Sequence, residues 1–442
     1  MKSVGTAYIE TVYSGKNDLN TAFLSNVYSD RKLLSGKVWS LLGKYFNQKN
    51  VYGKKILIKP NWVKQSEAQY DDYCLCTNEN LILEALAYLL GMAPREIVLA
   101  DAPIQGCDWS KVLSSRFREE VEALSSEYGV PVEVKDFRRT KFNPSKNELH
   151  KDEQSIENYV IFDLGNRSFL EPITSSEKRF RVTCYNPDGL AVSHSKGVHK
   201  YCIAKDVFDS DIILTMPKMK THQKAGITNA MKILVGVNGD KDFLPHHRIG
   251  AKGYGGDCYP GKNVLRSASE WILDHANRHI GTPFYKPLCH ASSLLWRLSR
   301  PNPEQNLGAA WYGNDTVWRM VMDINMIAMY GKTDGTVAGG PQRLVYSLCD
   351  GIIGGQGNGP LHPEPLPLGV LACSDNAYWM DLIAGCLFSL NIDKIPNLKA
   401  AKELLDLDGC KLWINGTTAS VADAKALSVP VKMAPGWVNY DA

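Results

Sequence analysis

The sequence predicts an α/β protein: a doubly wound, mostly parallel sheet with helices on both faces and two inserted excursions. Three observations predict it. Short apolar runs recur, each ending in a polar residue, and runs without alternation are the pattern of strands buried on both faces. Stretches of helical periodicity lie between them, which reads as βαβ units. The 442 residues are 44% apolar and 22% charged, a globular balance that excludes disordered, collagen-like and coiled-coil chains.

The elements follow in chain order. KKILI (54–58) leads into Lys59-Pro60-Asn61. NENLILEALAYLLGMAP (78–94) reads as a helix capped by Asn78 or Asn80, and EIVLA (96–100) leads into Asp101. Residues 110–129 form a second helix, with Gly129 as C-cap. VPVEV (130–134), DIILTM (211–216), LVYSLC (344–349) and LGVLAC (368–373) are further strands. A helix over 376–388 would be capped by Ser374 or Asp375, and LKAAKELLDL forms one in the tail. Residues 137–200 and 251–315 are the excursions, the first with a weak strand at YVIFDL (159–164). The second opens on AKGYGGDCYPG and continues through two helical stretches. The expected organisation is one domain over 1–442.

Net charge is +3, which argues against a dedicated nucleic-acid binder. No run approaches the ~18 apolar residues of a membrane span, and the start MKSVGTAYIE has no apolar signal core. Eleven cysteines, Cys184 among them, are irregularly spaced without paired CxxC motifs. A reduced, cytoplasmic protein with no intrinsic iron–sulfur cluster, no membrane and no nucleic acid is expected. The oligomeric state stays open.

In doubly wound sheets ligands sit beyond the carboxyl ends of the strands, where Lys59, Asn61, Asp101 and Asp350 fall. The densest constellation is PKMKTHQKAGITNAMKILVGVNGDKDFLPHHRIG (217–250). If the chain stays extended after Pro217, Lys218, Lys220 and His222 point to one side. Mutual repulsion then lowers a lysine pKa or calls for an anion. A helix from Ala225 would put Lys224, Thr228 and Lys232 on one face. His246 and His247, with Asp240 and Asp350, are the residues to hold a divalent metal. Arg248 could instead clamp an anion beside them. Of Arg181, His194 and His199, one could line the same cleft. DGIIGGQGNGPLHPEP (350–365) matches no nucleotide-binding motif, and its prolines forbid a following helix, so it reads as a rigid loop approaching a ligand. Asp381 needs a partner if buried. Trp311 and Trp318 read as core, with an aromatic cleft wall or a dimer surface as the alternatives. GxSxG and HExxH are both missing from the sequence.

These segments resemble one family, the domain of unknown function numbered 362. The resemblance rests on Lys59-Pro60-Asn61, Asp101-Ala102-Pro103, DIILTMPKMKTH (211–222), TNAMKILVG (228–236), DGIIGGQGNGP (350–360) and SDNAYWMD (374–381). It covers about 50–410 and implies little mechanism. Many members carry a ferredoxin-like cluster module, whose cysteines this sequence lacks. KMKTHQKAGITNAMK is also loosely similar to the P-H-x-x-A-G-x-S-G-G-x-K block of nickel-pincer lactate racemases. That likeness implies cofactor-holding or acid/base roles for His222 and Lys232, although Thr228-Asn229-Ala230 replaces the S-G-G.

The expected function is an enzyme acting on an anionic small molecule, a carboxylate or phosphorylated sugar, by proton transfer at carbon (epimerase, racemase or lyase). Lys218, Lys220, His222, Lys232 and Asp350 would do the chemistry. Lys59, Asn61, Asp101, Thr221, Arg248 and Asn358 would bind substrate. The alternatives are a metal-dependent enzyme on His246, His247 and Asp240, and a non-catalytic anion-binding protein.

Overall fold

The computed structural model describes residues 2–67, 71–143, 145–183, 185–299, 307–438, 440 and 441, with the backbone alone at 71 and 72. Its centre is an eleven-stranded sheet. In chain order the strands are β1 (Thr6–Thr11), β2 (Lys55–Pro60), β3 (Glu96–Asp101), β4 (Val132–Asp136), β5 (Ile212–Met216), β6 (Lys218–His222), β7 (Gly226–Thr228), β8 (Leu344–Asn358), β9 (His362–Ser374), β10 (Lys411–Ile414) and β11 (Thr417–Ala419). The spatial order is β11-β10-β1-β9-β8-β5-β2-β3-β4, with β6 on β8 and β7 on β6. The run β8-β5-β2-β3-β4 is parallel throughout, while β9 is antiparallel to both β8 and β1. The sheet is therefore mixed and mostly parallel.

Alternation along the parallel strands divides the core in two. Ile56, Ile58, Ile97, Leu99, Leu214 and Met216 pack on one face. Helices α1 (Thr21–Ser29), α2 (Arg31–Leu42), α3 (Glu79–Leu90) and α4 (Ser115–Tyr128) cover that face. Leu57, Val98, Ala100 and Ile213 pack on the other. There they meet α7 (Val317–Tyr330), α8 (Ala377–Leu387), α9 (Pro396–Leu404) and residues of the first excursion. Burial of both faces is why these strands read as continuous apolar runs. Asn78 caps α3, and Gly129 closes α4 in the left-handed conformation at φ 64°. The second excursion contains helices α5 (Val264–Arg278) and α6 (Tyr285–Leu298).

Several elements differ from expectation. The 350–365 segment is not a loop: β8 runs on to Asn358 and returns in β9. Pro363, Pro365 and Pro367 lie on β9 before it meets β1 at Val370, where no second partner needs their missing donor. No helix starts at Ala225. Gly226, at φ 83°, turns the chain into β7, and Lys232–Val237 is a short 3-10 helix. The cap of α8 is Asn376, whose side chain accepts from Tyr378 and Trp379; Asp375 instead accepts from the Thr6 N–H at 2.7 Å. Trp311 belongs to a small core within the second excursion, donating to the Asp257 carbonyl at 2.7 Å, and Trp318 packs against the larger core that Leu57, Val98 and Ile213 share.

Candidate functional site

Strands β2 and β3 end near Lys59 and in Asp101, Pro217-Lys218 follows β5, and Asp350 lies within β8, paired with Lys218. The structure sorts these residues into two nests. Lys218 and Asp350 are fully buried and 2.6 Å apart. The Lys218 ammonium also donates to the Ile353 carbonyl at 3.2 Å and reaches the Tyr28 hydroxyl at 3.1 Å. Tyr28 donates to Asp350 at 2.6 Å, and the Asn78 N–H donates to it at 3.1 Å. Every charge in this nest has its partners and no path to solvent. Lys218 and Asp350, expected to be catalytic, form a closed structural pair.

The second nest is cationic and incomplete. Lys59 donates to Asp101 at 2.6 Å, and Asp101 also receives the Trp62 and Ala102 N–H groups. Burial pulls the Lys59 pKa down and Asp101 opposes that. The Lys232–Val237 turn lies directly over this pair. A Cβ added at Gly236 would stand 2.0 Å from Asp101 Oδ1 and 2.6 Å from Lys59 Nζ, so only glycine fits. Lys220 is fully buried, donating to the carbonyls of Leu75 at 2.5 Å and Pro360 at 3.2 Å; burial pushes it down to about 8. Lys241 reaches the Ala102 carbonyl at 3.3 Å and is likewise pushed down to about 8, burial first. Lys224 donates to Thr183 Oγ1 at 2.7 Å.

Lys232 stands among them. Its side chain is partly exposed and makes no hydrogen bond or ion pair to a described residue. Burial, then Lys241, Lys220, Lys224 and Lys59, push its pKa down to about 7. All of these influences disfavour the charged amine, so an anion is what the position lacks.

Lys232 acts on two neutral histidines, His222 and His246, whose hydrogen bonds assign opposite tautomers. His222 Nδ1 accepts the N–H groups of Lys224 at 3.0 Å and Ala225 at 3.1 Å, which puts its proton on Nε2. His246 Nδ1 lies 2.7 Å from the Leu244 carbonyl; it must donate, leaving Nε2 as an acceptor. Burial first, then Lys232, hold both pKa values well below 6.5. One ring is thus a neutral donor and the other a neutral acceptor.

The remaining candidates fall elsewhere or serve as scaffold. Asn61 ties down 75–77: its side chain donates to the Leu75 carbonyl and its backbone N–H to Thr77 Oγ1, each at 2.9 Å. Thr221 donates to Gly357 O at 3.0 Å, and Asn358 sits opposite His362 at the hairpin tip. Arg248 faces Asp257 and Asp315 in the second excursion and does not join the cluster. The metal set does not assemble. Asp240 is taken by Arg139 at 3.2 Å, the cations Lys224 and Lys232 crowd His246, and among the described residues no three His, Cys, Asp or Glu side chains could hold a metal. His194 and His199 are buried against each other, 3.3 Å between Nδ1 atoms, and Arg181 pairs with Asp274. Asp381 is buried, accepts from the Met231 N–H at 3.4 Å and is pushed up to about 7 by burial. It thereby positions the entry to the Lys232 turn. Ten cysteines are described and free; Cys184 lies outside the described residues.

Sequence reasoning missed Lys241 and put His246 in a metal set. The signal for both was their place in the 217–250 block; what it lacked was the 3-10 turn that folds 232–246 back over Lys59 and Asp101.

Residues 170–385 match the family model described as "Domain of unknown function (DUF362)". A thylakoid-associated protein of Synechocystis sp. is 37% identical over 244 residues, covering 55% of this chain and 51% of that protein. A crystal structure of a Thermotoga maritima protein aligns with 76% of this chain and 53% of its own, at TM-score 0.33 and 9% identity. The chain spans about half the length of these relatives.

Proposed function

For this protein, whose residues 170–385 match the DUF362 family model, we propose an enzyme that binds a small anionic substrate around Lys232 and transfers a proton at carbon. One observation carries the reading: a partly exposed amine with no partner among the described residues, ringed by lysines and close enough to a neutral histidine donor and a neutral histidine acceptor to act on both. Lys232, Lys220, Lys224 and Lys241 hold a carboxylate or phosphate as point charges. The nearby guanidiniums of Arg138 and Arg139 are already paired, with Asp136 and with Asp152 and Asp240. His246 Nε2 takes the proton from carbon, and the lysines stabilise the negative charge that develops. His222 Nε2–H returns a proton to the same carbon, and the protonated His246 then passes its proton to His222 through solvent, so both rings end neutral and the outcome is that of a racemase or epimerase; a lyase would instead expel a leaving group. The ten free cysteines agree with a reducing, cytoplasmic setting.

The test is exchange of substrate C–H for C–D in heavy water, followed by proton NMR across a panel of 2-hydroxycarboxylates and sugar phosphates. The reading expects exchange with at least one compound, lost in His246→Gln. An anion-binding protein without catalysis would show thermal stabilisation by the same anions and no exchange. Neither exchange nor stabilisation with any compound would overturn the site itself.

A further inference from the structure

Helices α5 and α6 of the second excursion lie side by side, joined by reciprocal hydrogen bonds. Ser269 Oγ donates to the Ser292 carbonyl and Ser292 Oγ to the Ser269 carbonyl, each at 2.8 Å. The inner side of α5 is fixed to the body. Asp274 pairs with Arg181 at 2.9 Å, Asn277 donates to the Thr183 carbonyl at 2.9 Å, and Glu270 receives the Gly250 N–H. Thr183 also holds Lys224, so the hairpin is built onto the wall of the candidate site.

The outward side is apolar. Val264 is 84% exposed, Trp271 67%, Phe284 68%, Leu294 58% and Leu298 61%. One exposed leucine needs no explanation; five large apolar side chains on one hairpin do. The charges between them are of one sign. Lys262, Lys286 and Arg297 are exposed, whereas Glu270 is buried and Asp274 is spent on Arg181. Among the described residues from 261 to 299 no carboxylate is exposed.

We infer that this hairpin docks on an anionic lipid surface, with Trp271, Phe284, Leu294 and Leu298 in the headgroup boundary and Lys262, Lys286 and Arg297 on the lipid phosphates. The helices lie in the plane of the surface, since no helix among the described residues is long and apolar enough to cross a membrane. A second copy is the poorer occupant. A two-fold pairing sets this patch against itself, and among its described residues the patch has exposed cations but no exposed carboxylate to answer them. The inference departs from the sequence expectation of no membrane partner and does not depend on the Lys232 reading.

Flotation of the full chain with vesicles tests it. The chain is expected to float with vesicles of phosphatidylcholine mixed with phosphatidylglycerol, not with phosphatidylcholine alone, and to be released by salt. Trp271→Ala with Phe284→Ala, and separately Lys286→Glu with Arg297→Glu, should each cut partitioning at least about tenfold. These residues are exposed, so both variants should keep the wild-type melting temperature. Wild-type protein that ignores both vesicle types, or variants that float as well as wild type, would overturn the proposal. So would a concentration-dependent dimer abolished by Trp271→Ala with Phe284→Ala, which would assign the face to a second copy.

Discussion

Lys218 and Lys232 come from the same lysine-rich block and end in opposite circumstances. Lys218 meets Asp350 at 2.6 Å, a tyrosine hydroxyl and a carbonyl, with no exposure. Lys232 meets other cations, no described partner, and solvent. The contrast shows that a buried lysine at a strand end is not by itself a site. What separates scaffold from candidate is whether the protein supplies the counter-charge. Where it does, the pair fixes the hairpin β8–β9 against α1; where it does not, a ligand can.

Four perturbations sharpen or break that contrast. The largest effect on folding belongs to Lys218→Met. It strands Asp350 as an unpaired buried carboxylate, and denaturant unfolding should show a loss of about 3–5 kcal/mol. A loss below about 1 kcal/mol would mean the closed nest does not hold the sheet edge. His246→Gln should leave stability and sulfate binding little changed while slowing carbon–deuterium exchange by about 10²–10⁴-fold. Equal exchange in variant and wild type would remove His246 as the base. Gly236→Ala drives a Cβ into Asp101 and Lys59 and should cost about 1–3 kcal/mol by thermal or denaturant melting. No loss would show that the turn over that pair is loose.

The fourth perturbation is of pH. The folded pKa of Lys232 is depressed to about 7 from 10.5. Between those values the unfolded chain binds the extra proton, so stability rises with pH across that window. Below about 7 the folded protein carries the full cost of the uncompensated charge. Lys232→Met removes the cost and should flatten that part of the stability curve. A curve identical to wild type would place the depressed group elsewhere.

Much of this architecture was legible in the sequence because strands buried on both faces leave continuous apolar runs. KKILI, EIVLA and DIILTM lie in β2, β3 and β5 and divide their side chains between two cores. The β8–β9 hairpin was not legible, because glycines and alternate prolines look like a loop unless an edge position excuses them. β1, α1 and α2 carried no distinctive pattern, yet α1 contributes Tyr28 to the Lys218 nest. The block 217–250 located the site, but spacing could not separate its lysines. Lys218, Lys220 and Lys232 differ in which distant backbone or carboxylate reaches them, and those partners lie at positions 350, 75 and 360 or are missing among the described residues.

The central claim is that Lys232 is a free amine near neutral pH whose missing partner is an anion. Competitive amine labelling over a pH series, read residue by residue by mass spectrometry with and without sulfate, tests it directly. The account predicts half-maximal labelling of Lys232 near pH 7, protection by sulfate, and no labelling of Lys218 in the folded protein. An ordinary lysine midpoint above pH 10 at Lys232, unmoved by sulfate, would contradict it.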